Sequence, residues 1–202
     1  MPLLAALGLA CGGDGPTAPP LGTIHVSVQT SGGDLDIDGY EFVVDSGVPR
    51  YVSTSGVAVQ PDGSQQVGLA IDGISPGPHS VSLKDVADNC TVSDANPRSV
   101  TVAADETVSL EFAVVCAATG VAITTHTTGS DVPFAYDLHV DQSTFVIATN
   151  GSQTVSRLEP GPHMISLQMS IGNCTVAGGA QTVTVPIRTI TPVHFEITCL
   201  PV

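Results

Sequence analysis

The stretch "PGPHSVSL", Pro76–Leu83, returns later in the chain as "PGPHMISL", Pro160–Leu167. Pro-Gly-Pro cannot continue a strand and marks a sharp turn. The residues after it alternate apolar and polar, which is the period of a β-strand. Other pairs surround this one in the same order. "DGSQ" (Asp62–Gln65) matches "NGSQ" (Asn150–Gln153), and "NCTV" (Asn89–Val92) matches the same letters at Asn173–Val176. "VTV" recurs at Val100–Val102 and Val183–Val185, and "FAVVC" (Phe112–Cys116) matches "FEITC" (Phe195–Cys199). A fixed order of matches identifies two homologous units, residues 22–117 and 118–202, behind a leading segment 1–21.

Within a unit the residues read as short strands broken by turn chemistry. "TIHVSVQT", "YEFVVD", "QQVGLAIDGI", "HSVSLKDV", "RSVTVAA" and "VSLEFAVVC" all alternate with period two. Asp-Gly and Asn-Gly between them are hairpin turns, because these residues tolerate positive φ. Val, Thr, Ser and Gly are abundant, and no window carries a long apolar repeat of helical period. The expectation is an all-β chain of two tandem antiparallel β-sandwich domains, each with six or seven strands. The linker, residues 117–119, is short, so the units should form a semi-rigid rod.

The cysteines follow the repeat. Cys90 and Cys116 correspond to Cys174 and Cys199, which leaves Cys11 over. The simplest pairing is one disulfide inside each unit, contributing about 3 kcal/mol by closing its loop. Disulfides require an oxidising compartment, and so export. No Cys-x-x-Cys knuckle points to metal ligation instead.

Nineteen Asp and Glu oppose five Lys and Arg among the 202 residues, a net charge of −14. Nucleic acid is therefore not an expected partner, because binding it rests on clustered positive charge. Aromatic residues are 4% of the chain and Trp is absent, which argues against a platform for stacking sugars or bases. The chain opens "MPLLAALGLACGGDGPTAPP", a short apolar run (Leu3–Ala10), small residues, a Cys and a polar tract. This resembles the signal-peptide end of a bacterial lipoprotein. The resemblance implies lipidation of Cys11, anchoring in a membrane, and an outer-membrane or cell-surface location.

The repeats themselves are similar to the Ig-like or carboxypeptidase-regulatory-like β-sandwich modules of bacterial surface lipoproteins. The resemblance rests on "DGY" followed by a "VVD" strand, on the "GPH" turn with its alternating strand, and on the closing aromatic strand. It implies a structural or binding role as a spacer, adhesin or binding accessory, with an extracellular protein or glycan as partner.

No Gly-x-Ser-x-Gly elbow, His-Glu-x-x-His pair or phosphate-cradling loop occurs, so no catalysis is expected. "VVDSG" (Val43–Gly47) is similar to the Asp-Ser/Thr-Gly turn of aspartic proteases, which needs two carboxylates sharing a proton. Its partner in the second unit, "HVDQS" (His139–Ser143), lacks the Gly. A strand end entering a turn explains both. Of six histidines only His79 and His163 match between units, each a polar ring at a strand start; a transition-metal site between units is the alternative.

"DLDIDGYEFVVD" (Asp34–Asp45) places Asp34, Asp36, Asp38 and Asp45 nearly as in a calcium loop, and these are the candidate calcium ligands. The flanking helices and final Glu are missing. The second unit keeps the strand as "YDLHVD" (Tyr136–Asp141), but its preceding "SDVPFA" has lost two of three loop carboxylates. The expectation is a solvated acidic turn private to the first unit, with no cofactor beyond weak calcium. Calcium-modulated recognition of a sugar or protein is the alternative function.

Overall fold

The computed structural model of the chain describes residues 18–169 and 172–202; the reading of Cys11 lies outside them. Among the described residues there is no helix, and sixteen strands form four four-stranded sheets. The first eight strands are β1 (Gly22–Gly32), β2 (Tyr40–Val44), β3 (Arg50–Val52), β4 (Gln65–Ile74), β5 (Gly77–Lys84), β6 (Cys90–Val92), β7 (Arg98–Val102) and β8 (Thr107–Cys116). They build sheets β4-β1-β8-β6 and β3-β2-β5-β7. The second eight are β9 (Gly120–Gly129), β10 (Ala135–Val140), β11 (Ser143–Ala148), β12 (Ser152–Ser156), β13 (Gly161–Gln168), β14 (Cys174–Val176), β15 (Gln181–Val185) and β16 (Ile190–Cys199). They repeat the order as β12-β9-β16-β14 and β11-β10-β13-β15.

Each unit therefore has eight strands, where the sequence predicts six or seven. In the first unit the additional ones, β3 and β6, have three residues each, as does β14 in the second, while β11, the counterpart of β3, has six. Three residues are too few to show a period, and only pairing with a neighbour makes them strands.

The alternation seen in sequence becomes the core. From β1, Ile24, Val26 and Val28 point inward to meet Phe42, Val81, Leu83, Phe112 and Val114. Ile123, Leu138, Ile165, Phe195 and Ile197 do the same in the second unit. Each such side chain contributes about 1.5–3 kcal/mol by leaving water. Tyr40 and Tyr136 lie fully inside, where an unpaired hydroxyl is costly. Each is satisfied by a buried threonine, Tyr40 by Thr30 at 2.7 Å and Tyr136 by Thr127 at 2.8 Å. Burial pushes the Tyr40 phenol up to about 12.

All strand pairs are antiparallel except one in each unit. β1 runs parallel to β8, and β9 runs parallel to β16. The first and last strands of a unit thus lie side by side in the middle of one sheet. The chain enters each unit at one pole and leaves at the other. β8 is tied to its edge strand by a Cys90–Cys116 disulfide, and β16 by Cys174–Cys199; in each case the two residues sit directly opposite. At the end of β1 a side chain on Gly32 would overlap the Cys116 carbonyl, and Gly129 meets Cys199 in the same way. Both have positive φ, so glycine is required twice over.

Candidate functional site

The acidic turn between β1 and β2 lies where the two units meet. Asp34 has φ near 54°, which turns its carboxylate back toward the linker. Its Oδ2 accepts hydrogen bonds from the backbone N–H of Thr119 and of Arg157, both at 3.0 Å. Two residues of the second unit are thereby held by one carboxylate of the first. Arg188 completes the joint from the other side. Its Nε donates to the Asp88 carbonyl at 2.9 Å and its Nη2 to the Cys90 carbonyl at 2.7 Å. Two of the chain's five cations are thus placed at this junction.

Asp36 is 2% exposed while Ile37 and Asp38 beside it are exposed, so the turn that the sequence predicts to be solvated is solvated only in part. Its Oδ2 accepts from the Ala87 N–H at 2.9 Å and its Oδ1 from the Gly39 N–H at 3.4 Å. Burial raises the Asp36 carboxyl to about 6, and a hydrogen bond with Asp38 adds to that rise. The same bond holds Asp38 below the ordinary carboxylate range. For Asp34, burial pulls upward, but the N–H groups of Thr119 and Arg157 outweigh it and the net shift is downward. A cleft of about 280 Å³ opens at the junction, lined by Asp36, Ile37, Asp88, Arg157, Glu159 and Ile187 among others.

Asp34 has a counterpart. Asp131 follows β9 as Asp34 follows β1, also at positive φ, and its Oδ2 accepts from the Val202 N–H at 2.9 Å. Thr119 and Val202 each stand three residues beyond their disulfide cysteine. Asn89 donates to the carbonyls of Asp34 and Ala117, and Asn173 to those of Asp131 and Leu200. The carboxylate that "SDVPFA" retains is therefore a tether for the chain leaving the unit. Only Asp36 and Asp38 are private to the first unit.

The structure does not bring the four candidate calcium ligands together. Asp45 lies at the far end of β2, and an extended strand of five residues spans about 16 Å. There its Oδ2 pairs with His79 Nδ1 at 2.8 Å and its Oδ1 accepts from the Ser80 N–H at 2.9 Å. His79 Nε2 meets the Ser75 carbonyl at 2.7 Å. The second unit repeats all three contacts. His163 Nδ1 is 2.6 Å from Asp141, His163 Nε2 is 2.7 Å from the Glu159 carbonyl, and the Met164 N–H donates to Asp141 at 2.9 Å. Both rings are mostly covered, with about a tenth of each side chain exposed (11% and 10%).

Both nitrogens of each ring face oxygens that accept, which favours the imidazolium cation. Accordingly the Asp45 carboxylate, followed by the Ser75 carbonyl, raises the His79 pKa, and Asp141 with the Glu159 carbonyl raises that of His163. Asp45 is lowered by the Ser80 N–H and by His79, and Asp141 by His163 and the Met164 N–H. Each carboxylate is bound to a histidine of its own unit, so Asp45 and Asp141 do not form the proton-sharing pair of an aspartic protease. The sequence signal was the matching of His79 with His163 and of Asp45 with Asp141, which are brought together by strand pairing.

A third cluster was invisible in sequence. His126 Nδ1 lies 2.8 Å from Glu196 Oε2, and His194 Nε2 lies 2.7 Å from Glu196 Oε1, all three half-exposed on the outer face of β9 and β16. The two imidazoles hold Glu196 below its ordinary range. Among the described residues no group of three His, Cys, Asp or Glu is arranged to hold a metal ion. No helix there is long and apolar enough to cross a membrane.

No family model matches the chain, and no curated protein matches it. Among solved structures it is similar to the Bacillus anthracis TIE protein at 14% identity and a TM-score of 0.40, over 89% of this chain and 34% of that one. The chain thus spans about a third of that protein. A variant of the major pilin from Streptococcus pyogenes is similar at 8% identity and a TM-score of 0.46, over 92% of this chain and 100% of that one. The T-13 major pilin of the same species is similar at 12% identity and a TM-score of 0.41, covering 88% and 97%. At such identities and scores the likeness assigns no role to any residue here.

Proposed function

We propose that the chain is a non-catalytic structural or binding module of an exported surface protein, anchored by lipid on Cys11. Its two sandwiches, residues 22–117 and 118–202, act as one stiff spacer that presents the distal end to an extracellular protein or glycan. The observation that carries this reading is the Asp34 carboxylate holding the backbone of Thr119 and Arg157. It joins the units through main-chain groups rather than through a flexible linker. A disulfide inside each unit supports export, because such bonds persist in oxidising compartments.

Fractionation of cells carrying the Cys11→Ala variant tests the anchor. The variant protein is expected in the soluble fraction, and unchanged membrane association would refute lipidation. Small-angle scattering tests the spacer, with Asp34→Ala expected to broaden the spread of inter-unit distances. An unchanged scattering curve would show that the junction does not set the stiffness.

A further inference from the structure

We propose that this chain bears tension, and that the parallel strand pair in each unit is the element that resists it. The proposal deepens the anchored-spacer reading, in which one end is fixed and the other is held. It rests on how the first and last strands are paired.

From Thr23 opposite Thr107 to Gly32 opposite Cys116, β1 and β8 pair over ten residues with no shift of register. From Gly120 opposite Ile190 to Gly129 opposite Cys199, β9 and β16 do the same. By contrast the β1–β4 pairing carries an irregularity at Gly22/Thr23. When the chain is stretched, β1 is drawn from its beginning and β8 from its end. In a parallel pair those points lie at opposite ends. The strands are therefore loaded along their length, and all their evenly spaced hydrogen bonds share the load at once. Had the two strands been antiparallel neighbours, the same pull would have opened them one bond at a time from one end. Resistance to force follows the unfolding barrier and not the equilibrium stability, so the pairing geometry decides it.

Both members of each pair are central in their sheet, flanked by β4 and β6 or by β12 and β14, and their inner faces lie in the core. The disulfides stand where the load leaves each unit, at Cys116 and Cys199, and bond these residues across to the edge strand. If the clamp gives way, they keep the residues between the cysteines from extending. The linker between the clamps is short and gripped at Thr119 by Asp34, so tension passes directly from β8 into β9.

Single-molecule pulling on the full chain tests this. Handles at the two termini load both clamps in shear. A handle at Ala104 paired with the amino terminus pulls β1 and β8 from the same end. A handle at Ser130 paired with the carboxyl terminus does so for β9 and β16. Ala104 and Ser130 are exposed, and each geometry reports on a different unit. The expected result is an unfolding force several-fold higher end to end than in either same-end geometry. Equal forces overturn the proposal. With dithiothreitol present, each end-to-end event should be followed by a second step as the newly exposed disulfide is reduced to two thiols and the reagent is oxidised to its cyclic disulfide. The enclosed 26 and 25 residues should each add about 90 Å. Absence of that step means the clamp did not open, and likewise overturns the assignment. Neither readout depends on Cys11, so failure here and failure of the anchor are separable.

Discussion

The two units of this chain are copies in their interiors and differ at their poles. Both keep the Tyr–Thr bond in the core, the His–Asp clasp after the Pro-Gly-Pro turn, the disulfide to the edge strand and the Asp that tethers the departing chain. The junction uses this shared tether at Asp34 together with residues found in one copy only. Arg157 stands where the first unit has Gly73, and Arg188 where it has Asp105. Asp36 and Asp38 have no acidic counterparts in the second unit. The shared set explains why each sandwich folds. Of the private set, Arg157 and Arg188 reach across to the first unit, whereas Asp36 bonds within its own.

Removing the disulfides should have the largest effect and should not distinguish the units. Cys116→Ala and Cys199→Ala open loops of nearly equal length, so each is expected to cost about 3–4 kcal/mol. Thermal unfolding of the two variants checks this, and a marked inequality would break the equivalence of the copies.

Asp34→Ala against Asp131→Ala tests the poles. Asp34 satisfies two backbone N–H groups across the junction, whereas Asp131 satisfies one near the end of the chain. The first substitution is expected to cost about 2 kcal/mol, in line with losing charged hydrogen bonds, and to split the melt into two transitions. The second should cost well under that and leave the melt undivided. Chemical denaturation followed by calorimetry distinguishes the two outcomes.

The clasps and the buried carboxyl give a pH dependence with a definite sign. The folded pKa values of His79 and His163 lie above the ordinary 6.5, so their contribution is complete below pH 6.5 and is lost as pH rises through the folded values. Asp36, raised to about 6, contributes below its ordinary 3.8 and loses that contribution as pH rises through 6. Asp45 and Asp141 are lowered, so theirs is complete above pH 3.8 and lost as pH falls through the folded values. The melting temperature is therefore expected to decline from mildly acid to alkaline pH. The double variant His79→Ala and His163→Ala should flatten the fall above pH 6.5, and Asp36→Asn the part between pH 4 and 6. A melting temperature indifferent to pH would show that the clasps contribute nothing.

Calcium should have the smallest effect. The carboxylate oxygens of Asp34 and Asp36 accept backbone N–H groups, and Asp45 is engaged with His79. Titration with calcium is expected to release no heat and to leave the melting temperature unchanged. A rise in melting temperature that Asp36→Asn abolishes would restore the calcium reading.

The strands with a long alternation, such as "VSLEFAVVC", were legible because burial on one face leaves a period of two in the letters. The repeat was legible because duplicated folds keep their turns and cysteines. Within the site, the sequence marks Asp34 as a candidate calcium ligand, and the structure places its carboxylate on two main-chain N–H groups. Three acids at alternate positions look the same whether they surround a cation or cap main-chain N–H groups. The partners that decide between these, Thr119, Arg157 and Ala87, are distant in sequence.

By itself the sequence determined the β class, the duplication and which cysteines correspond, because these are written in local periodicity and self-similarity. Tertiary structure alone decided that the first and last strands run parallel, that Glu196 sits between two histidines, and that Asp34 of the acidic turn bonds to the second unit. Each of these depends on which distant backbone segment becomes a neighbour. That choice is made by packing whole sheets together, and no single stretch of residues records it.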